Sequence, residues 1–143
     1  MNIRPITKVP YITIHEDDVK RVNGMTLYRI TSNKPSDDGG ADIGEHVYAA
    51  RSVRIGHGCT IGNLCVLGEN VKVGMYCTLG DWCSVERGSE LGDWCVLGSG
   101  SRIGHDCTLG NSVKLQRGTN LYQTDAVSAE VMARHMLGLG IDE

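Results

Sequence analysis

The chain contains no phenylalanine, and only 5% of its residues are aromatic. A conventional mixed core uses more aromatic volume than that. No apolar run approaches the ~20 residues of a membrane span, which excludes a helical membrane protein. Charge of one sign is also lacking. Fourteen Lys and Arg stand against 17 Asp and Glu, for a net charge of -3, so no electrostatic footprint for nucleic acid is present. Cysteine pairs at Cys-x2–4-Cys spacing are absent, which argues against a structural zinc site. The opening stretch MNIRPITKVPYITI has no apolar segment followed by a small-residue cleavage site. A cytoplasmic, reducing compartment is therefore expected, with cysteines as thiols. At 143 residues the chain has room for one compact domain and a small appendage.

Glycine and a six-residue repeat are what the sequence does have. Stepping by six from Ile43 to Leu121 visits fourteen positions, and thirteen hold Ile, Leu or Val; Ala49 is the exception. Glycine follows the aliphatic at ten of them, as in IGHGCTIGNLCVLGENVKVG. Two residues before each aliphatic stands a small or β-branched residue. All six cysteines, Cys59, Cys65, Cys77, Cys83, Cys95 and Cys107, occupy that slot. A period of six fits neither a helix nor long alternating strands. It fits a very short strand and a tight turn, repeated. Residues two apart on a strand share a face, so the aliphatic and the small residue point inward and the residue between them outward. The glycine is expected to open the turn, where a Cβ would strain the backbone. The cysteines then read as small hydrophobes filling space.

Over residues 43–121 this pattern resembles the hexapeptide-repeat proteins: aliphatic, Gly, two variable residues, small, variable. The resemblance implies an all-β fold, a left-handed parallel β-helix with three hexads per coil and about four coils. A coil then takes 18 residues. The chain divides into an N-terminal β-hairpin arm (1–32), a linker (33–42), the β-helix (43–122) and a C-terminal helix and tail (123–143). Asn23-Gly24 between two strand-like runs signals the hairpin turn. DAVSAEVMARHMLG predicts an α-helix over about 125–137, with Asp125 as N-cap and Gly138 as its stop. Repeat arrays need their open ends covered, and the helix is expected to serve as such a cap.

Folding the sequence at 18 residues sorts the outward positions into three corners. The first stacks Glu45/His46, Asn63/Leu64, Asp81/Trp82, Ser99/Gly100 and Arg117/Gly118. The second stacks Arg51/Ser52, Glu69/Asn70, Arg87/Gly88 and His105/Asp106. The third stacks His57/Gly58, Met75/Tyr76, Asp93/Trp94 and Asn111/Ser112. The second corner alternates charge and reads as solvated. The faces on either side of the first corner carry Tyr48 and Val66, and Thr60, Thr78 and Val96. Leu64 and Trp82 stand on the corner between these faces, with Tyr76 and Trp94 on the far edge. A clustered apolar patch marks an interface, and Trp and Tyr are favoured anchors. Tyr48, Leu64, Val66, Tyr76, Trp82, Trp94 and Val96 are therefore the candidate interface residues, and a parallel homotrimer with the first corner at its axis is the expected assembly.

Two kinds of function fit the sequence, the first implied by the resemblance and the second by the uninterrupted register, the aromatic edges and the separate hairpin arm. One is CoA-dependent acyl transfer to a small acceptor at a subunit seam, with acetyl-CoA as cofactor and a histidine as general base. His57, beside the third corner's apolar residues, is the candidate. The other is a non-catalytic trimer without a cofactor that binds a partner or builds an assembly, such as part of a virion. A protein partner would engage the N-terminal arm. Enzymes of this class extrude a loop over the acceptor, whereas here the register is uninterrupted. The zinc enzymes of this fold need two histidines close in sequence, and His46, His57 and His105 provide no such pair, so no metal is expected. The balance favours the non-catalytic module, because function is argued from a site and not from a fold.

Overall fold

A computed structural model describes residues 3–8, 12–22, 24–32 and 41–121. The expected helix over 125–137 and most of the 33–42 linker lie outside the described residues. Six strands begin the chain: β1 (Ile3–Pro5), β2 (Ile12–Val22), β3 (Met25–Ser32), β4 (Asp42–Ile43), β5 (Val47–Ala49) and β6 (Arg54–Gly56). From Thr60 onward two-residue strands recur every six residues to Asn120–Leu121. Each pairs in parallel with the strand 18 residues away, as Thr78 does with Thr60 and Val96. The result is an all-β parallel solenoid of about four turns. Among the described residues the only helical turn is a 3-10 segment at Ile6–Lys8.

Three sheets make the three faces. The threonine face stacks β4, Thr60–Ile61, Thr78–Leu79, Val96–Leu97 and Lys114–Leu115. The charged face runs from β1 and β6 through Lys72–Val73 and Glu90–Leu91 to Thr108–Leu109. The hairpin face runs from β2, β3 and β5 through Val66–Leu67, Ser84–Val85 and Arg102–Ile103 to Asn120–Leu121. Strand alternation turns one residue of each pair inward. The repeat's aliphatics from Ile55 to Leu115 are all at most 3% exposed.

The cysteines fill the inward slot as free, buried thiols. Each of five also donates S–H to a backbone carbonyl fifteen residues on. Cys59, Cys77 and Cys95 reach Gly74, Gly92 and Gly110 at 3.0, 3.0 and 3.1 Å. Cys65 and Cys83 reach Gly80 and Gly98 at 3.1 and 3.3 Å. Ser101 makes the same bond to Gln116 at 3.1 Å. A small donor thus satisfies a corner carbonyl that the strand ladder misses.

The glycine after each aliphatic has a different reason from the one expected. Gly44, Gly62, Gly74 and Gly92 do not have positive φ. A Cβ on Gly74 would lie 2.5 Å from the carbonyl carbon and oxygen of Gly92 on the next coil. On Gly98 it would lie 2.4 Å from the Arg117 backbone nitrogen. These glycines allow close approach of the neighbouring coil. The left-handed residue comes two positions later, at the second residue of each corner.

The hairpin closes one end of the solenoid. Gly24 has φ 80°, and Val22 pairs with Met25 across the two-residue turn. β3 then runs antiparallel to β5, with Tyr28 opposite Ala49 and Ile30 opposite Val47. Met25, Leu27, Ile30 and Ile6 join the buried core there. β2 loses register between His15 and Val19, and the irregular segment leans over the hairpin face. Tyr48 is consequently only 7% exposed in the single chain. Its hydroxyl donates to Asp18 Oδ1 at 2.7 Å, and Lys20 Nζ sits 4.4 Å from its ring centroid. Arg29 Nε donates to Asp18 Oδ2 at 2.6 Å. Arg51 turns to Glu16 of the hairpin.

Two outcomes test this fold. Leu79→Ala, at mid-stack, lowers unfolding free energy by ~2–5 kcal/mol, whereas Leu64→Ala on its corner changes it little; denaturant melts compare them. The Tyr48 hydroxyl and the Arg29 guanidinium hold Asp18 below its ordinary carboxylate value. A depressed folded pKa stabilises above the unfolded value of about 3.9 and is lost as pH falls through the folded one. Thermal melts of Asp18→Asn should therefore lie below those of the native chain near neutrality and converge with them below about pH 4.

Candidate functional site

The second residue of each corner is the place where the solenoid meets its surroundings. From His46 to Gly118 this position recurs every six residues, and every occupant except Ser52 has φ between 56° and 80°. Glycine, asparagine and aspartate tolerate that region. Gly58, Gly88, Gly100, Gly118, Asn70 and Asp106 are such residues. Leu64, Tyr76, Trp82 and Trp94 are not, with φ of 63°, 59°, 65° and 65°. For a residue with a Cβ the left-handed region costs roughly 1–2 kcal/mol. These four are also exposed, at 36%, 41%, 65% and 58%. Strain and exposed apolar area coincide in the same side chains, and neither stabilises the isolated chain.

The four residues border one face. Leu64 and Trp82 stand at the first corner, Tyr76 and Trp94 at the third. The threonine face between them presents Thr60, Thr78 and half-buried Val96. Beyond the first corner, Val66 is half-buried on the hairpin face. There a groove of about 470 Å³ is lined by Lys20, His46, Leu64, Val66, Trp82 and Arg102, among others. Of the seven candidate interface residues, six border the first corner, the threonine face or the third corner. Tyr48 is covered instead by the chain's own hairpin.

At the third corner the side chains touch. His57 Nε2 lies 2.9 Å from the Tyr76 hydroxyl, with the rings edge to face at 4.9 Å. Tyr76 and Trp94 stack at 4.6 Å between centroids and 18° between planes. The first residues of the corners brace the coils. Asp81 Oδ1 accepts from the Asn63 backbone at 2.8 Å, Asp93 Oδ1 from Met75 at 2.9 Å and Asn111 Oδ1 from Asp93 at 2.8 Å.

The chemistry of the titratable groups is limited. His46, His57 and His105 lie on three different corners, and no cluster of metal-ligating side chains occurs among the described residues. His105 Nδ1 faces Asp106 at 3.2 Å, whereas His57 spends one nitrogen on Tyr76. Among the described residues no carboxylate hydrogen-bonds His57 to orient it as a relay base would require. The six cysteines, at most 1% exposed, cannot meet a substrate. The neighbouring Cys59 thiol, together with burial, pushes the Cys77 thiol up to about 12. The neighbouring Cys83 and Cys77 thiols, together with burial, raise Cys65 and Cys95 in turn, so these three carry no thiolate nucleophile at neutral pH.

Sequence reasoning located the exposed aromatics by their corner. It missed the left-handed backbone that sets them apart. The signal lay in the same column: Gly, Asn or Asp at six of its thirteen positions mark a left-handed slot, in which Trp is anomalous. No family model, curated protein or solved structure matches the chain. The strained slots predict a gain on substitution: Trp82→Asn should raise the unfolding free energy of the single chain by about 1 kcal/mol, read from denaturant melts at dilutions where only one chain is present.

Proposed function

We propose that the chain is the subunit of a parallel homotrimer of left-handed, hexapeptide-repeat β-helices that acts as a non-catalytic binding or assembly module, suited to a place in a larger complex such as a virion. The observation that carries this reading is Trp82, 65% exposed at φ 65° beside Leu64. A left-handed Trp costs roughly 1–2 kcal/mol. Withdrawing ~100–150 Å² of its apolar surface from water returns about 2.5–3.8 kcal/mol at 25 cal/mol/Å². The balance is favourable only when a neighbour covers the ring. The threonine face and the hairpin face flank this corner, and three copies turned inward would bury Leu64, Val66, Trp82 and Val96 against one another. Lys72 and Glu90, 3.8 Å apart on the charged face, would stay in water, which avoids the cost of desolvating them. A closed ring leaves no sticky face to propagate. Tyr48, only 7% exposed beneath the hairpin, has little surface left to add. The unbroken register supports a module over an acyltransferase, since residues 43–121 carry no inserted loop.

Sedimentation velocity tests the assembly. The native chain should run as a trimer and Trp82→Glu as a monomer. A native monomer, or a Trp82→Glu chain that remains trimeric, overturns the reading. Calorimetry with acetyl-CoA should show no binding. Binding with turnover that His57→Ala abolishes would instead establish the acyltransferase.

A further inference from the structure

The third corner does not share the axis assigned to Trp82, and its rings are arranged differently. Trp82 stands below Gly100 and, among the described residues, has no stacked aromatic neighbour. Tyr76 and Trp94 form a column pinned from below by His57. We infer that this column is a binding platform for a neutral glycan of all-equatorial hexoses, with the uncovered face of Trp94 as its stacking surface.

Tyr76 covers one face of Trp94. The next residue in the column, Ser112, has no ring to cover the other. Trp94 is held at φ 65° with 58% of its surface exposed, so the backbone is strained to keep an open ring in water. An aromatic face carries partial negative charge. The axial C–H groups on one side of an all-equatorial pyranose are weakly positive and lie flat, which matches it. The sugar's rim of hydroxyls then needs polar partners at the ring's edge. Asp93 and Asn111 each spend one oxygen on the backbone of the coil below. Asp93 keeps a second carboxylate oxygen and Asn111 its NH2 group. These are an acceptor and a donor one coil apart, about 4.8 Å, beside Trp94. The formal charges of Asp93 and the nearby Lys114 balance. A phosphate-bearing ligand therefore finds no net positive field there, and a single strand of nucleic acid lacks the cationic groove that accompanies its stacking platforms.

This inference rests on the chain being a binding module and not on the trimer. The test uses the full chain with cellohexaose and chitohexaose as probes, read by calorimetry and tryptophan fluorescence. At least one sugar should bind saturably, with an emission change, and its affinity should not vary between roughly 0.05 and 0.5 M salt. Trp94→Asn, which suits the left-handed slot and so keeps the fold, should weaken binding about tenfold or more. Trp94→Tyr should retain binding, and Lys72→Ala on the distant charged face should leave it unchanged. Absence of saturable binding by both sugars, or binding that Trp94→Asn retains with an unaltered melt, overturns the proposal. So does salt-sensitive binding of oligothymidylate lost in the same variant, which would assign the platform to nucleic acid. Sedimentation of the same samples reads the assembly separately: a monomer that binds sugar refutes the trimer alone, and a trimer that binds none refutes the platform alone.

Discussion

The whole molecule depends on how closely one coil sits on the next. Its strands are mostly two residues long, too short to stand alone, so each gains its hydrogen bonds only from the coils above and below. That stacking brings backbone against backbone at the corners, where glycine stands in the contact. A methyl group at Gly74 would strike the next coil at 2.5 Å. The spacing set there lets Asp and Asn side chains reach a backbone N–H one coil away, and lets thiols reach a carbonyl fifteen residues on. The interior is narrow, and aliphatics with small residues such as the cysteines fill it. The missing phenylalanine follows: a narrow prism built from repeated Leu, Ile and Val has no slot for a ring.

Much of this was legible because the repeat is a one-dimensional signal. The inward aliphatics, the cysteine slot and the corners followed from counting by six. The reason for the glycines did not follow, since it lies in a contact between residues 18 apart along the chain. Strand alternation correctly put Tyr48 on the outside of the prism, yet it is covered. What covers it is Asp18, in a stretch of β2 that loses register with β3, and Lys20 just beyond it. Such irregularities leave no period to read, and the partner of an antiparallel hairpin is not encoded by its turn. The candidate site was half legible. Position placed Trp82 and Trp94 at corners, but their strain became visible only through the backbone angles.

The hairpin gives the molecule a direction. Parallel stacking has no natural end, and each new coil offers an edge as receptive as the last. β3 and β1 interrupt this by laying antiparallel strands on β5 and β6. Met25, Leu27 and Ile30 plug the interior at the same level. A further copy of the repeat cannot continue the stack there in register, so that end is finished.

The left-handed corner residue has a wider implication for how such a protein changes over generations. At each corner the side chain at that position lies outside the prism, and the coil keeps its path whether the residue is Gly100, Asn70 or Trp82. Replacement therefore alters adhesion with only a small penalty to folding, and a reversion to glycine or asparagine is always favourable to the backbone. Surfaces of this kind can be acquired and discarded one residue at a time. A lineage could repaint its contacts corner by corner while the scaffold beneath drifts hardly at all.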